Sequence, residues 1–212
     1  LLSVPFENLD ILDGVPISLD PDRLYDKIVT RRRGGFCYEL NGLFALLLEG
    51  LGWPVTRLQA RVYDKQDQPG IPFDHLALRV TADAQDWLCD VGFGDSFRKP
   101  LPFIMHQETT QFGTAYRLIP GGDEIIHQVF DRDHALWRNA YTFTTTPHVL
   151  TDFAHGCTHH QTSPDSPFTK KRLITKAIPD GRLTLSPDRL TLTRGDRQTA
   201  TPLHSPSALT PA

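Results

Sequence analysis

The sequence predicts an α+β fold, with a helical N-terminal region, then an antiparallel sheet or barrel, then a further series of strands. Three observations carry this. From Phe36 onward apolar residues recur at steps of three and four as far as Gly50 and Gly52. After Trp53-Pro54 the texture changes to short β-rich pieces between Gly, Pro, Asp and Gln clusters. Beyond residue 170 such pieces return, with Asp180-Gly181 as a hairpin turn.

The opening LLSVPFENLD reads as the tail of an apolar helix entering a turn. LDPDRLYDKIV follows with an Asp-Pro start signal and puts Leu19, Leu24 and Ile28 on one face of a short helix. The next helix carries Leu40, Leu43, Phe44, Leu47, Leu48 and Leu51 as its apolar stripe. VTRLQARVY, HLALRV, DWLCDVGF, TAYRLI and IIHQVF are the strands of the central region, followed by WRNAYTF and PHVLTDF. RLITKAI, GRLTLSP and RLTLTRG are the last strands, and TPLHSPSALTPA closes the chain as a Pro/Ser/Thr-rich tail. The expected organisation is a helical region at 1–52, a β region at 53–150 and a C-terminal region at 151–212.

Composition excludes several function classes. The 212 residues carry 22 Lys plus Arg against 25 Asp plus Glu, a formal net charge of -3, so no global positive field gathers nucleic acid or an anionic membrane. There is no apolar run of about 18 residues and no signal-peptide pattern. Cys37, Cys89 and Cys157 are odd in number and widely spaced, which reads as free thiols in the cytoplasm rather than a disulfide framework. A small-molecule partner fits best. His155, Cys157, His159 and His160 are all metal-ligand types, but they stand in what reads as a polar loop with no distant second pair, and no metal is expected. The basic runs Arg31 to Arg33 and Lys170 to Arg172 read as solvated surface.

The chemistry centres on RRRGGFCYELNGLF. A cysteine in the first turn of a helix meets unpaired backbone N–H groups and the positive end of the helix dipole, both of which favour the thiolate. Gly34 and Gly35 permit a tight approach to that helix start. A thiol nucleophile needs a base, and the base needs a third group to fix its tautomer. His75 opens HLALRV at a strand edge, and Asp90 interrupts the apolar strand WLCDVGFG, where a carboxylate must be paired. Cys37, His75 and Asp90 therefore form the expected nucleophile, base and orienter, with the thiol pKa drawn well below its free value.

VPFENLD, RGGFCYELNGLF, DHLALRV, DVGFGDSF and TSPDSPF occur in this order, and the set closely resembles the arylamine N-acetyltransferases. The resemblance implies a cysteine-protease-like catalytic core, a central antiparallel β-barrel and a partial C-terminal α/β lid. It also implies ping-pong transfer of acetyl from acetyl-CoA, the cosubstrate, through Cys37 to an arylamine, hydrazine or hydroxylamine. Within it, Phe6 and Phe93 line the acceptor pocket, Gly92 and Gly94 admit the pantetheine arm, and Glu7 with Arg33 forms a supporting ion pair. Cys157 stands where the family pattern has asparagine, and the chain begins and ends inside the family's usual span. Two alternatives use the same residues: a papain- or transglutaminase-like thiol hydrolase with water as acceptor, and an inactive fragment of the acetyltransferase fold.

Overall fold

A computed structural model of the chain describes residues 2–195 and 197–203; the end of the Pro/Ser/Thr-rich tail, from residue 204, lies outside them. In place of a helix tail, the opening forms a two-residue strand, β1 (Phe6–Glu7), and one helical turn, α1 (Leu9–Leu12). Helix α2 (Pro21–Tyr25) starts where the Asp-Pro signal places it, with Asp20 Oδ1 accepting from the Asp22 and Arg23 N–H groups. It runs on as a π-helical turn over Asp26–Thr30. Helix α3 (Cys37–Gly50) begins at Cys37 itself.

The central strands are β2 (Val55–Val62), β3 (His75–Ala82), β4 (Gln85–Cys89), β5 (Leu101–Pro102), β6 (Thr109–Gln111), β7 (Thr114–Gly121), β8 (Glu124–Asp131) and β9 (Leu136–Phe143). They hydrogen-bond antiparallel in the order β5-β4-β3-β2-β9-β8-β7-β6. A bridge from Met105, just past β5, to Leu118 of β7 nearly closes this sheet into a barrel. DVGF, expected to be strand, lies beyond the end of β4.

A 3₁₀ turn (Leu150–Phe153) leads into α4 (Ala154–Thr162), and a second one covers Pro167–Thr169. The histidine-rich segment is therefore a helix and not the polar loop read from composition. With Gly156, Cys157 and His160 buried, the face it packs is made of small and polar residues, which apolar periodicity does not reveal. The chain ends in β10 (Ile174–Ile178), β11 (Gly181–Ser186), β12 (Arg189–Arg194) and β13 (Arg197–Pro202). β10 pairs Ile178 with Gly181, so the turn residues are Pro179 and Asp180 rather than Asp180 and Gly181. β1 pairs antiparallel with β10, which joins the N-terminal segment to this second sheet.

Two cores result. Leu40 and Leu48 of α3 pack on Leu76, Leu78 and Val80 of β3, outside the barrel. Inside it lie Leu58, Ala60, Ala77, Leu88, Tyr116, Leu118, Tyr141 and Phe143. Because alternate β3 residues serve the two cores, the strand is apolar on both faces over its first half. β3 thus carries its first residue, His75, to the border between them.

The turn before α3 is held by buried charge. Lys27 Nζ lies 2.7 Å from Glu39 Oε1 and 2.8 Å from Asp10 Oδ2, and Arg33 Nη2 lies 2.8 Å from Glu7 and 2.9 Å from Asp10. Glu39 Oε2 also accepts the Phe36 N–H, satisfying one donor at the helix start. A β-carbon on Gly34 would stand 2.3 Å from the Pro5 carbonyl, and one on Gly35 2.8 Å from Glu39 Oε2. The paired glycines let β1 and Glu39 close on the turn. Replacing Lys27 with methionine leaves the buried Glu39 carboxylate without its cation, while Asp10 keeps Arg33, and we expect a loss of about 3–5 kcal/mol in urea unfolding. An unchanged unfolding midpoint would show that the network contributes nothing.

Candidate active site

Register brings the site together. Cys89, the last residue of β4, is opposite Leu78 in β3, so the chain leaving β4 runs back alongside β3 toward His75. Asp90 is the first residue of that run, one position past the strand. Its Oδ2 is 2.8 Å from His75 Nε2, and both side chains are buried. The Asp90 Oδ1 accepts from Asn41 Nδ2 at 2.8 Å and from the Gly92 N–H at 2.9 Å.

Asn41 was not singled out from sequence, yet it is the hub of this arrangement. Its Nδ2 also donates to the Leu76 carbonyl at 2.6 Å, and its Oδ1 accepts the Val91 N–H at 2.8 Å. One side chain of α3 therefore ties β3 to the loop after β4. The signal was present: an asparagine four residues after Cys37, on the same helical face, inside an otherwise apolar stripe.

Cys37 is buried at the first position of α3, and with His75 it lines a cavity of about 470 Å³. Phe6, Gly92, Phe93 and Phe168 line the same cavity, as do Asp74 and His160. The Phe93 ring stands edge-on to His75 at 5.3 Å, with Tyr141 at 5.3 Å from the same imidazole. A larger apolar groove of about 800 Å³ runs along α2 and α3 past Leu43 and Leu47, away from His75 and Asp90, and offers little chemistry.

Gly92 is explained by packing. A β-carbon there would come 2.8 Å from both Cys37 Cα and Asn41 Nδ2, so the loop after β4 seats directly on the start of α3. Gly94, at φ +85°, lies in contact range of Phe6 and Thr175, and its carbonyl accepts from the buried Arg182 of β11. Arg182 also pairs with Asp95 at 2.7 Å and thereby fastens this loop to the second sheet.

Electrostatics divide the three groups. Burial pushes the Cys37 thiol well above its ordinary value, and Cys157, Asp74 and Asp90 push the same way, against the Tyr38 N–H. This differs from the depressed thiol expected from the helix start alone, because the sulfur is fully desolvated and faces carboxylates. Burial also pushes the Asp90 carboxyl up, but the His75 charge, its hydrogen bond, Asn41 and the Gly92 N–H together hold it below its ordinary value. Behind the pair, burial drops His127 to about 4, so this imidazole stays neutral against Tyr141. Burial raises Cys89 and Cys157 to about 12, which leaves neither as a ready nucleophile. Among the described residues no cluster of His, Cys, Asp and Glu is arranged to hold a metal.

The native carboxyl of Asp90 lies below its unfolded value of about 3.9, so its contribution to stability is present above that pH and is lost as pH falls through the native value. We expect Asp90→Asn to lose stability less steeply than the parent below about pH 4 in urea titrations. Parallel curves for the two proteins would contradict the assignment.

Comparison with known proteins follows the same lines. The N-acetyltransferase family model matches residues 1–208. The arylamine N-acetyltransferase of Mycolicibacterium smegmatis is 36% identical over 189 residues, covering 86% of this chain and 68% of that protein. The solved structure of Mycobacterium marinum arylamine N-acetyltransferase superposes with a TM-score of 0.90 at 32% identity, over 98% of this chain and 78% of that one. The same enzyme solved in complex with CoA gives 0.88 at 32%, over 97% and 78%. Sequence and fold agree along nearly the whole chain, and it belongs to the arylamine N-acetyltransferase family of acyltransferases.

Proposed function

We propose that this chain transfers acetyl from acetyl-CoA to arylamines, hydrazines or hydroxylamines by way of Cys37, with His75 as base and Asp90 as orienter. The observation that supports it best is the 2.8 Å His75–Asp90 contact, made at the wall of the cavity that Cys37 also lines. A CoA complex is known for the M. marinum relative, which supports the donor.

The reaction runs in two halves. In the first, the Cys37 sulfur attacks the thioester carbonyl, a new C–S bond forms, and the CoA sulfur leaves with the proton that His75 had taken from the thiol. In the second, the amine nitrogen attacks the acetyl-cysteine, a C–N bond forms, the Cys37 sulfur leaves, and His75 accepts the amine proton. Asp90 stays ionised throughout and stabilises the imidazolium. Backbone N–H groups at the start of α3 are the candidates for holding the transient oxyanion.

Phe6 and Phe93, with Phe168, supply the apolar wall against which an aromatic acceptor would lie. Of the two glycines expected at the pantetheine arm, Gly92 lines the cavity and would pass it, although its own side-chain position is taken by Cys37 and Asn41, whereas Gly94 does not line the cavity. Glu7 and Arg33 support the turn before Cys37 and touch no substrate. The three cysteines are unpaired, in keeping with a cytoplasmic enzyme, and no helix of the described residues is long and apolar enough to cross a membrane.

Cys37→Ser should show no transfer of acetyl from acetyl-CoA to an aromatic amine. Asp90→Asn should retain the fold and lose roughly 10³–10⁴-fold in kcat, because the imidazole then favours the wrong tautomer. Transfer by Cys37→Ser at the parent rate, or near-parent turnover by Asp90→Asn, would remove the triad.

A further inference from the structure

Cys37 shares its cavity with a second carboxylate–imidazole pair. Asp74 immediately precedes β3, and its Oδ1 lies 2.8 Å from His160 Nε2 on α4. The other oxygen of that carboxylate accepts the Val62 N–H at 3.0 Å. His160 is buried, and its Nδ1 is 3.2 Å from Ser166 Oγ.

The order Ser166, His160, Asp74 imitates a hydroxyl nucleophile with its base and orienter, but the serine is committed elsewhere. Its Oγ is buried, donates to the His160 carbonyl at 3.1 Å and accepts the Phe168 N–H at 3.2 Å. Ser166 is a cap. The pair it supports remains, and both of its members line the cavity that Cys37 lines.

The groups facing Cys37 come from every element around it. The start of β3 presents Asp74 and His75, and the loop after β4 presents Asp90. Helix α4 presents Cys157 and His160, with His159 further along the cavity wall, and α3 itself presents Tyr38. Asp64 and Asp165 stand on the exposed rim. Of the two carboxylates around Cys37, Asp90 is bound to His75, the proposed base, whereas Asp74 is bound to an imidazole with no other role in the proposed transfer. Tyr38, next to Cys37, also shares its hydroxyl between the Phe73 and Asp74 carbonyls at 2.6 and 3.0 Å, so the distance from Asp74 to the helix start is fixed.

We propose that the Asp74–His160 pair governs the charge on the Cys37 sulfur: the Asp74 carboxylate opposes a thiolate beside it, and His160, bound to that carboxylate, offsets the opposition. The pair is a positioning and charge-setting device that rests on Cys37 being the nucleophile. It makes the readiness of the thiol depend on α4, an element that contributes nothing to the triad.

The test is the pH dependence of iodoacetamide alkylation at Cys37, followed by mass spectrometry of its peptide, in the parent, Asp74→Asn and His160→Gln. Native near-ultraviolet circular dichroism identifies the folded variants. Asp74→Asn should lower the alkylation midpoint by on the order of one pH unit, and His160→Gln should raise it. Should Asp74→Asn not fold, His160→Gln decides alone. A folded variant whose midpoint stays with the parent, or moves the other way, overturns the proposal, since a purely structural latch would change stability and leave the midpoint in place. Alkylation needs no acetyl donor, so this result reads out separately from that of Cys37→Ser.

Discussion

The constraint on which the structure depends is one carboxylate taken out of water. Asp90 is buried, and an unpaired charge there would cost several kcal/mol. It is paid for by His75 on one oxygen and by Asn41 and the Gly92 N–H on the other. These partners come from β3, from α3 and from the loop after β4. Satisfying the charge therefore requires all three to be in place, so the interaction that holds the His75 imidazole also fixes the packing of helix on barrel.

Around this point the chain is built to stay still. The Lys27, Glu39, Asp10, Arg33 and Glu7 network locks the turn that delivers Cys37. Arg182 ties the VGFGD loop to the second sheet, and β1 crosses to pair with β10. Preorganisation of this kind matters for a thiol that burial pushes away from its reactive form. In the proposed mechanism its reactivity belongs to the pair it forms with His75, and that pair depends on how the start of β3 is held against α3.

Legibility followed the type of signal. Helix α3 was plain because its apolar stripe has the helical period, and Cys37 stood out because it sits at that helix start. His75 and Asp90 were legible as polar residues interrupting apolar strands, although Asp90 in fact follows the strand. Helix α4 was missed because it buries Gly156, Cys157 and His160, which give no apolar periodicity. Asn41 carries a local signal, a polar residue inside the apolar stripe of α3, but its partners, like those of Lys27 and Glu39, lie elsewhere in the chain and sequence spacing does not name them. The Asp74–His160 pair joins residues 86 positions apart and was invisible for the same reason. For the thiol, the helix dipole that favours its anion can be inferred locally, whereas the burial that pushes it the other way cannot.

In the proposed chemistry Cys37 carries the acetyl group. Mixing the protein with acetyl-CoA alone, without amine, and mapping the product by peptide mass spectrometry tests it most directly. The expected outcome is one equivalent of CoA released in a burst and a single acetyl group on the peptide holding Cys37, removed when an aromatic amine is added. Acetyl on another residue, or release of CoA only when amine is present, would contradict it.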